Sequence, residues 1–285
     1  LAACAKKEAA PEAAAVVPEA SVPAGCEPDG ALNYLCGLVN AEDIIRLGDS
    51  PWLIASGMDG QISGTAGTGH LYLIDHAART WEEWFPAASP AFRHDTAMFG
   101  DCPGPLDIAR FSAHGLSLQQ RSPGQYRLYM TSHGAREAIE IFDVDTTGSK
   151  PAIAWAGCVL LPANTFANSV AILKDGGFVT TKMMDPADPE GFPGILAGKI
   201  SGHVYEWHPG GQVQAVAGTD MSGPNGIALS PDDSQMFVAG IGSREIVRFD
   251  RTSKAVGKQV VVLDIRPDNL RWADGKLYAA GGNYV

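Results

Sequence analysis

The sequence predicts an all-β propeller, and three observations carry that expectation. Short alternating or apolar runs recur along the whole body, separated by turn clusters such as KDGG, HPGG, SPDD and ADGK that read as hairpin connections. Gly 33 and Pro 19 in 285 residues exceed the usual shares of about 7% and about 5%, which favours tight turns over long helices. A polar residue followed by an apolar strand then returns as His114-Gly-Leu-Ser-Leu, Asn168-Ser-Val-Ala-Ile, Asn225-Gly-Ile-Ala-Leu and Asn269-Leu-Arg-Trp, at spacings of 54, 57 and 44 residues. Those spacings are close to one four-stranded blade, about 40–50 residues.

Taken in order, the strand-like runs are WLIASGM (52–58), HLYLIDHAARTWEEW (70–84), YRLYMTSH (126–133), AIEIFDVD (138–145) and VAILKDGGFVTTK (170–182). They continue with HVYEWHPGGQVQAVAG (203–218), GIALSPDDSQMFVAG (226–240), REIVRFDR (244–251) and LRWADGKLYAAG (270–281). Capped helical periodicity is missing from the body. Trp81, Trp84 and Trp207 fall in outer-strand patterns and read as packing between blades. The stretch MMDPADPEGFPG (183–194) reads as a turn-rich insertion near the channel mouth. TAGTG (65–69) is glycine-rich, but no helix follows it to cradle a phosphate.

The balance of 21 Lys+Arg against 32 Asp+Glu gives a net charge of −11, which argues against a phosphate-tracking nucleic-acid binder. No apolar run reaches the ~18 residues of a membrane span. At the start, Leu1-Ala2-Ala3-Cys4 resembles the lipobox of bacterial lipoproteins, in which the cysteine is acylated. Ten of the first 25 residues are alanine, interspersed with Pro11, Pro18 and Pro23, a composition that cannot build a core. Residues 1–30 are therefore expected to be a tether and 31–285 the propeller. An exported protein is expected, in the periplasm or at the outer membrane, touching lipid only through Cys4. With Cys4 set aside, Cys26, Cys36, Cys102 and Cys158 allow one or two disulfides of undetermined pairing. A buried free Cys158 is the alternative.

In a propeller the inner strand of each blade starts beside the central channel, so a polar residue repeated at that point contributes to one ring. Asn168, Asn225 and Asn269 bring amide oxygens, and Asp268 and the Glu42-Asp43 pair bring carboxylates. Neutral carbonyls with one or two carboxylates form a hard-oxygen set suited to calcium rather than zinc.

These residues resemble the paraoxonases, calcium-dependent arylesterases and lactonases built on a six-bladed propeller with four-stranded blades. The likeness is carried by NAEDIIRLGDSPWLIASGM (40–58), RFSAHGLSL (110–118), LYMTSHGAREAIEIF (128–142), LPANTFANSVAI (161–172), GPNGIALSPDD (223–233) and RPDNLRWADGKLYAA (266–280), in matching order. Single segments are shared with gluconolactonase-type propellers. The resemblance assigns catalytic calcium ligands to Glu42, Asn168, Asn225, Asp268 and Asn269, and a histidine pair to His114 and His133. It assigns a second, structural calcium to Asp43, the Leu116 backbone carbonyl and an aspartate after Asn168. Here that aspartate is replaced by Ser169, which removes a charge. Family chains also run further beyond the Asp-Asn strand and pair a cysteine at the position of Cys36 with one near the C-terminus. No cysteine follows Cys158, and the chain reads as a piece lacking the last strands.

The chemistry implied is hydrolytic opening of a lactone or cleavage of an aryl ester. His114 would act as general base on water with His133 tuning it, and calcium would polarise the carbonyl. Asp268 or Glu42 is the alternative base. A small-molecule lactone or ester is the expected partner. The other five histidines (His70, His76, His94, His203 and His208) read as structural. Two further readings remain: a non-catalytic ligand- or partner-binding propeller, and a sugar lactonase of the gluconolactonase type, which would not need His114.

Overall fold

The computed structural model describes residues 25–58, 68–87, 89–252 and 257–283. Cys4, most of the expected tether and residues 65–67 of the TAGTG segment lie outside the described residues. The chain divides into two compact units, one ending at Gly37 and the other running from Leu38 to Val285. In the first, a Cys26–Cys36 disulfide closes a short loop that contains an isolated Asp29–Leu32 bridge. Among the described residues, no helix is long and apolar enough to cross a membrane.

The second unit is an all-β propeller. Its first blade runs β1 (Ala41–Arg46), β2 (Trp52–Gly57), β3 (His70–Asp75) and β4 (Thr80–Phe85) from the inside outward. The second has five strands: β5 (Ala91–Phe92), β6 (Ala113–Ser122), β7 (Gln125–Ser132), β8 (Ala138–Asp145) and β9 (Ala152–Leu160), in the order β6-β7-β8-β9-β5. β5 adds in parallel to β9 at the outer edge. The third contains β10 (Phe166–Ile172), β11 (Phe178–Met184), β12 (His203–Trp207) and β13 (Gln214–Ala215). The fourth contains β14 (Pro224–Leu229), β15 (Gln235–Gly240), β16 (Glu245–Asp250) and β17 (Lys258–Val262). A hairpin of β18 (Arg266–Ala273) and β19 (Lys276–Gly282) follows. The described residues thus give five inner strands, with β1 beside β6, β6 beside β10, β10 beside β14 and β14 beside β18.

Burial follows radial position. β7 and β8, inside the second blade, are buried at six of eight residues each, and their buried positions include Arg127, Thr131, Ser132 and Glu140 beside the apolar side chains. At the outer rim, every residue of β17 is exposed. The Asp274-Gly275 turn of the last hairpin has φ of 50° and 70°, the paired positive values that a two-residue type I′ turn requires. Trp84 and Trp207 are buried and reach beyond their own blades, to the Pro151 carbonyl and to Phe99, whereas Trp81 packs within its own blade, edge-on to Tyr72 at 5.4 Å.

Two features differ from the sequence reading or complete it. The 183–194 insertion is not all turn: Gly191–Leu196 forms a short helix, α1. Its Ile195 is buried against Met183 and Ile241, so the insertion is held by an apolar anchor within an otherwise turn-rich segment. Cys158 is buried, but it is not a free thiol, because it is bonded to Cys102. The bond spans 56 residues and ties the loop after β5 to β9. Replacing both Cys102 and Cys158 by alanine should cost about 2–4 kcal/mol of unfolding free energy, measured as a lower melting temperature. An unchanged melting temperature would show that the loop is held without the bond.

Candidate functional site

One irregularity recurs in every inner strand. The pairing register shifts between Ala41 and Ile44 in β1, Ala113 and Leu116 in β6, Ala167 and Val170 in β10, Pro224 and Ile227 in β14, and Pro267 and Leu270 in β18. The residues inside these bulges are Glu42-Asp43, His114-Gly115, Asn168-Ser169, Asn225-Gly226 and Asp268-Asn269. A bulge leaves residues outside the ladder and re-aims their side chains, so the polar position of the sequence repeat is also the position where each inner strand breaks its pairing.

The second residue of the bulge sets how closely adjacent strands approach. A Cβ on Gly115 would collide with the Asn168 carbonyl, and one on Gly226 with the Asp268 carbonyl. Glycine at these positions lets neighbouring inner strands meet backbone to backbone. Thr181 on β11 ties the next pair: its hydroxyl donates to the Asn225 carbonyl at 2.6 Å and accepts from the Ser169 amide at 3.0 Å.

The structure brings the sequence-predicted residues together around this axis. The Glu42 carboxylate lies 3.4 Å from His114 Nε2. Asn269 Nδ2 donates to both the Glu42 carbonyl (3.1 Å) and its Oε1 (3.2 Å), bringing β18 to β1. Asn168 Nδ2 lies 3.2 Å from His114 Nε2. His114, Asn168 and Asn225 are buried. Burial works against a charged His114, but the carboxylates of Glu42, Asp43 and Asp268 together raise its pKa above the ordinary histidine value. Burial likewise opposes charge on Glu42, while His114, Asn269 and Arg271 hold its pKa below the usual glutamate value.

The opposite imidazole nitrogen leads outward. His114 Nδ1 is 2.8 Å from His133 Nε2, and His133 Nδ1 is 2.9 Å from Glu137 Oε2. Glu137 Oε1 also accepts from the Ala167 amide at 2.6 Å. A carboxylate can only accept, so Glu137 holds the His133 proton on Nδ1 and leaves Nε2 as an acceptor. His133 Nε2 then takes a hydrogen bond from His114 Nδ1–H, and the lone pair of neutral His114 lies on Nε2, where it accepts from Asn168 Nδ2 and faces Glu42. Phe166 stacks on the His133 ring at 4.3 Å. The turn carrying Glu137 is pinned by Arg110 Nη2 donating to the Gly134 carbonyl at 2.9 Å and by Arg136 gripping buried Glu140 at 2.7 and 3.0 Å.

Sequence reasoning missed Glu137. Its only local signal is spacing, a glutamate four residues after His133 in the turn before β8, and no period or repeat marks it. His208, by contrast, is exposed between Asp175 and Glu206, and His94 meets the Phe99 carbonyl. Both lie outside this arrangement.

The donor set tests what the ring can hold. Glu42 Oε2, Asn168 Oδ1, Asn225 Oδ1 and Asn269 Oδ1 are all buried without a hydrogen-bond partner. A buried acceptor left without a donor costs about 1–3 kcal/mol. Four of them, from four different inner strands, fit a hard cation that takes oxygen ligands. Among the described residues, no group of three or more histidines, cysteines, aspartates and glutamates is arranged to hold a metal. The oxygen set here is mixed, with amides in the majority. The second predicted ion fits less well. Asp43 Oδ2 accepts from the Leu116 amide at 2.7 Å and is ion-paired with Arg271, whose guanidinium also donates to the Leu116 carbonyl. The Ser169 hydroxyl is buried without a partner.

Among solved structures, a luciferin-regenerating enzyme is similar at 14% identity and a TM-score of 0.53, covering 87% of this chain and 71% of its own. A gluconolactonase from Xanthomonas campestris is similar at 20% identity and a TM-score of 0.37, covering 70% and 83%. At these identities the first likeness bears on the fold alone. No match is found among curated proteins. The family model described as the SMP-30/Gluconolactonase/LRE-like region matches residues 65–285, more than half of the sequence, and the chain belongs to that family.

Proposed function

We propose that the protein is a calcium-dependent hydrolase that opens lactones or cleaves aryl esters. The observation that carries this reading is the pair of opposed features on His114: Nε2 lies beside Glu42 and Asn168, two of the four residues that carry unpartnered buried oxygens, while Nδ1 is tied through His133 to Glu137. Membership of a gluconolactonase-like family supports a lactonase-type reaction, and the paraoxonase resemblance supports the finer assignment to lactones and aryl esters.

Glu42, Asn168, Asn225 and Asn269 would hold the ion, with Asp268 adding charge beside them. A calcium ion held there would polarise the ester carbonyl as a Lewis acid and engage the Glu42 charge that otherwise favours a proton on His114. His114 Nε2 takes a proton from water as the water oxygen bonds to the carbonyl carbon. His133 accepts from His114 Nδ1–H and keeps the ring oriented, so the imidazolium that forms is stabilised through His133 toward the Glu137 carboxylate. When the acyl C–O bond breaks, His114 Nε2–H returns its proton to the leaving oxygen, giving the hydroxy acid or the phenol and acid. Phe166, stacked on His133, helps to hold that ring in place.

A sugar lactonase is the second reading, favoured by the gluconolactonase name in the family description. A lactone panel separates the two: turnover restricted to sugar lactones supports the second, and turnover of alkyl lactones and phenyl acetate supports the first. Absence of turnover with every lactone and ester, in the calcium-loaded protein, leaves the binding propeller.

Calcium should bind and raise the melting temperature, because its ligands come from four separate inner strands. Asn225→Ala should weaken calcium binding at least tenfold by calorimetry. Activity that persists in excess chelator would remove calcium from the mechanism. For the base, His114→Gln should lower kcat by about 10²–10⁴-fold with calcium affinity near normal. His133→Gln and Glu137→Gln should each cost less, roughly tenfold or more, because they orient the ring rather than take the proton. Wild-type kcat in His114→Gln would move the base to Asp268 or Glu42.

A further inference from the structure

Directly beside the ring of unpartnered oxygens lies a second, chemically opposite arrangement. Asp43, the other residue of the β1 bulge, is almost fully buried, and every partner of its carboxylate is supplied by the chain. Oδ1 accepts from the Ile44 amide at 2.7 Å and Oδ2 from the Leu116 amide at 2.7 Å. The remaining charge is met by Arg271 on β18, whose Nη2 donates to Asp43 Oδ2 and, at 3.1 Å, to the Leu116 carbonyl. Its Nη1 donates to the Leu270 carbonyl at 2.8 Å. One guanidinium therefore joins β1, β6 and β18, three inner strands far apart in sequence.

We infer that Arg271 is this chain's own second cation, seated on the two oxygens that the paraoxonase resemblance assigns to a structural calcium. Charge matching carries the argument. With serine at position 169 and Glu42 turned to His114 and Asn269, the carboxylate in direct contact at this point, among the described residues, is Asp43. A single guanidinium neutralises it, whereas a divalent ion would leave a net positive charge buried between the strands. An aspartate at position 169 would supply the second negative charge that a divalent ion needs; Ser169 instead contributes a buried hydroxyl with no partner. Serine at 169 and arginine at 271 are thus a matched pair: one removes a negative charge and the other replaces a doubly charged ion by a singly charged one. The guanidinium is held by its own strand, so chelation cannot remove it, and the tie between β1 and β18 persists without free calcium. The inference goes beyond the catalytic reading and does not require an ion on Glu42 and the asparagines, because it concerns a difference between two versions of the neighbouring site.

The experiment compares calcium stoichiometry, by equilibrium dialysis against calcium chloride, in the wild-type chain and in Arg271→Ser/Ser169→Asp. The double variant should bind one more calcium per chain than the wild type. Equal stoichiometry overturns the inference, and so does a wild-type chain that binds two ions. No calcium on the wild type with one on the variant supports the inference while overturning the catalytic-ion reading, so the two fail separately. If the double variant does not fold, Arg271→Ser alone is compared with the wild type, both in chelator. Loss of the guanidinium paired with a buried carboxylate should lower the melting temperature by about 10 °C, with Arg271→Lys recovering part of the loss. A melting temperature for Arg271→Ser equal to that of the wild type overturns the role assigned to Arg271.

Discussion

The constraint on which the rest of this structure depends is that a buried oxygen needs a positive partner. Each inner strand breaks its ladder at the same point and turns polar side chains inward, where water is scarce and unpaired dipoles are costly. Two answers stand side by side along the axis. At the first residues of the bulges the oxygens of Glu42, Asn168 and Asn225, joined by Asn269, receive too few donors from the chain. One residue further on, Asp43 is matched by backbone amides and Arg271. The first arrangement asks for an ion from outside, and the second is complete in itself.

This division follows from bulge geometry rather than from composition. Successive side chains of a regular strand alternate between the two faces of the sheet, and in a propeller those faces are covered by adjacent blades. The bulge suspends the alternation for two residues, so one dipeptide per blade can serve the axis. Where the second residue is glycine, as at Gly115 and Gly226, the neighbouring backbone moves in. Where it carries a side chain the outcome differs: the Asp43 carboxylate is met by two amides and Arg271, whereas the Ser169 hydroxyl is buried without a partner. The residues that follow the bulges, among them Ile45, Leu116, Val170, Ile227 and Arg271, line a cavity of about 580 Å³. Arg271 is therefore part of the channel wall as well as a tie between strands.

Much of the fold was legible because propeller blades are local: each is a meander whose strands and turns follow one another in sequence, and hairpin signals such as ADGK mark them directly. The ring residues were legible for the same reason, as a repeated polar position before an apolar strand. The bulges were not, because a register shift is a property of two paired strands and leaves no mark in either one alone. Arg271 was hidden by alternation: in Leu270-Arg271-Trp272 it reads as the polar, outward member of a strand. Its inward role exists only because Asp43, more than two hundred residues earlier, is brought within reach. Glu137 was hidden differently. It lies in the turn between two strands of the second blade, and what fixes it is the Ala167 amide at the start of the third blade's inner strand.

That last contact explains how a loop residue can serve a buried base. A glutamate on an isolated turn would be free to leave His133, and the proton arrangement of both imidazoles would vary with it. Here the Glu137 carboxylate is bound to backbone one residue before Asn168, so the group that sets the His133 tautomer and the strand that carries a ring oxygen are parts of one rigid arrangement. Phe166, two residues before Asn168, stacks on His133 from the same strand. The inner strand of the third blade thus positions the outer end of the histidine relay and the His114 side of the ring together. A shift of β10 relative to β6 would disturb both, and the backbone approach of Gly115 to Asn168 limits that shift.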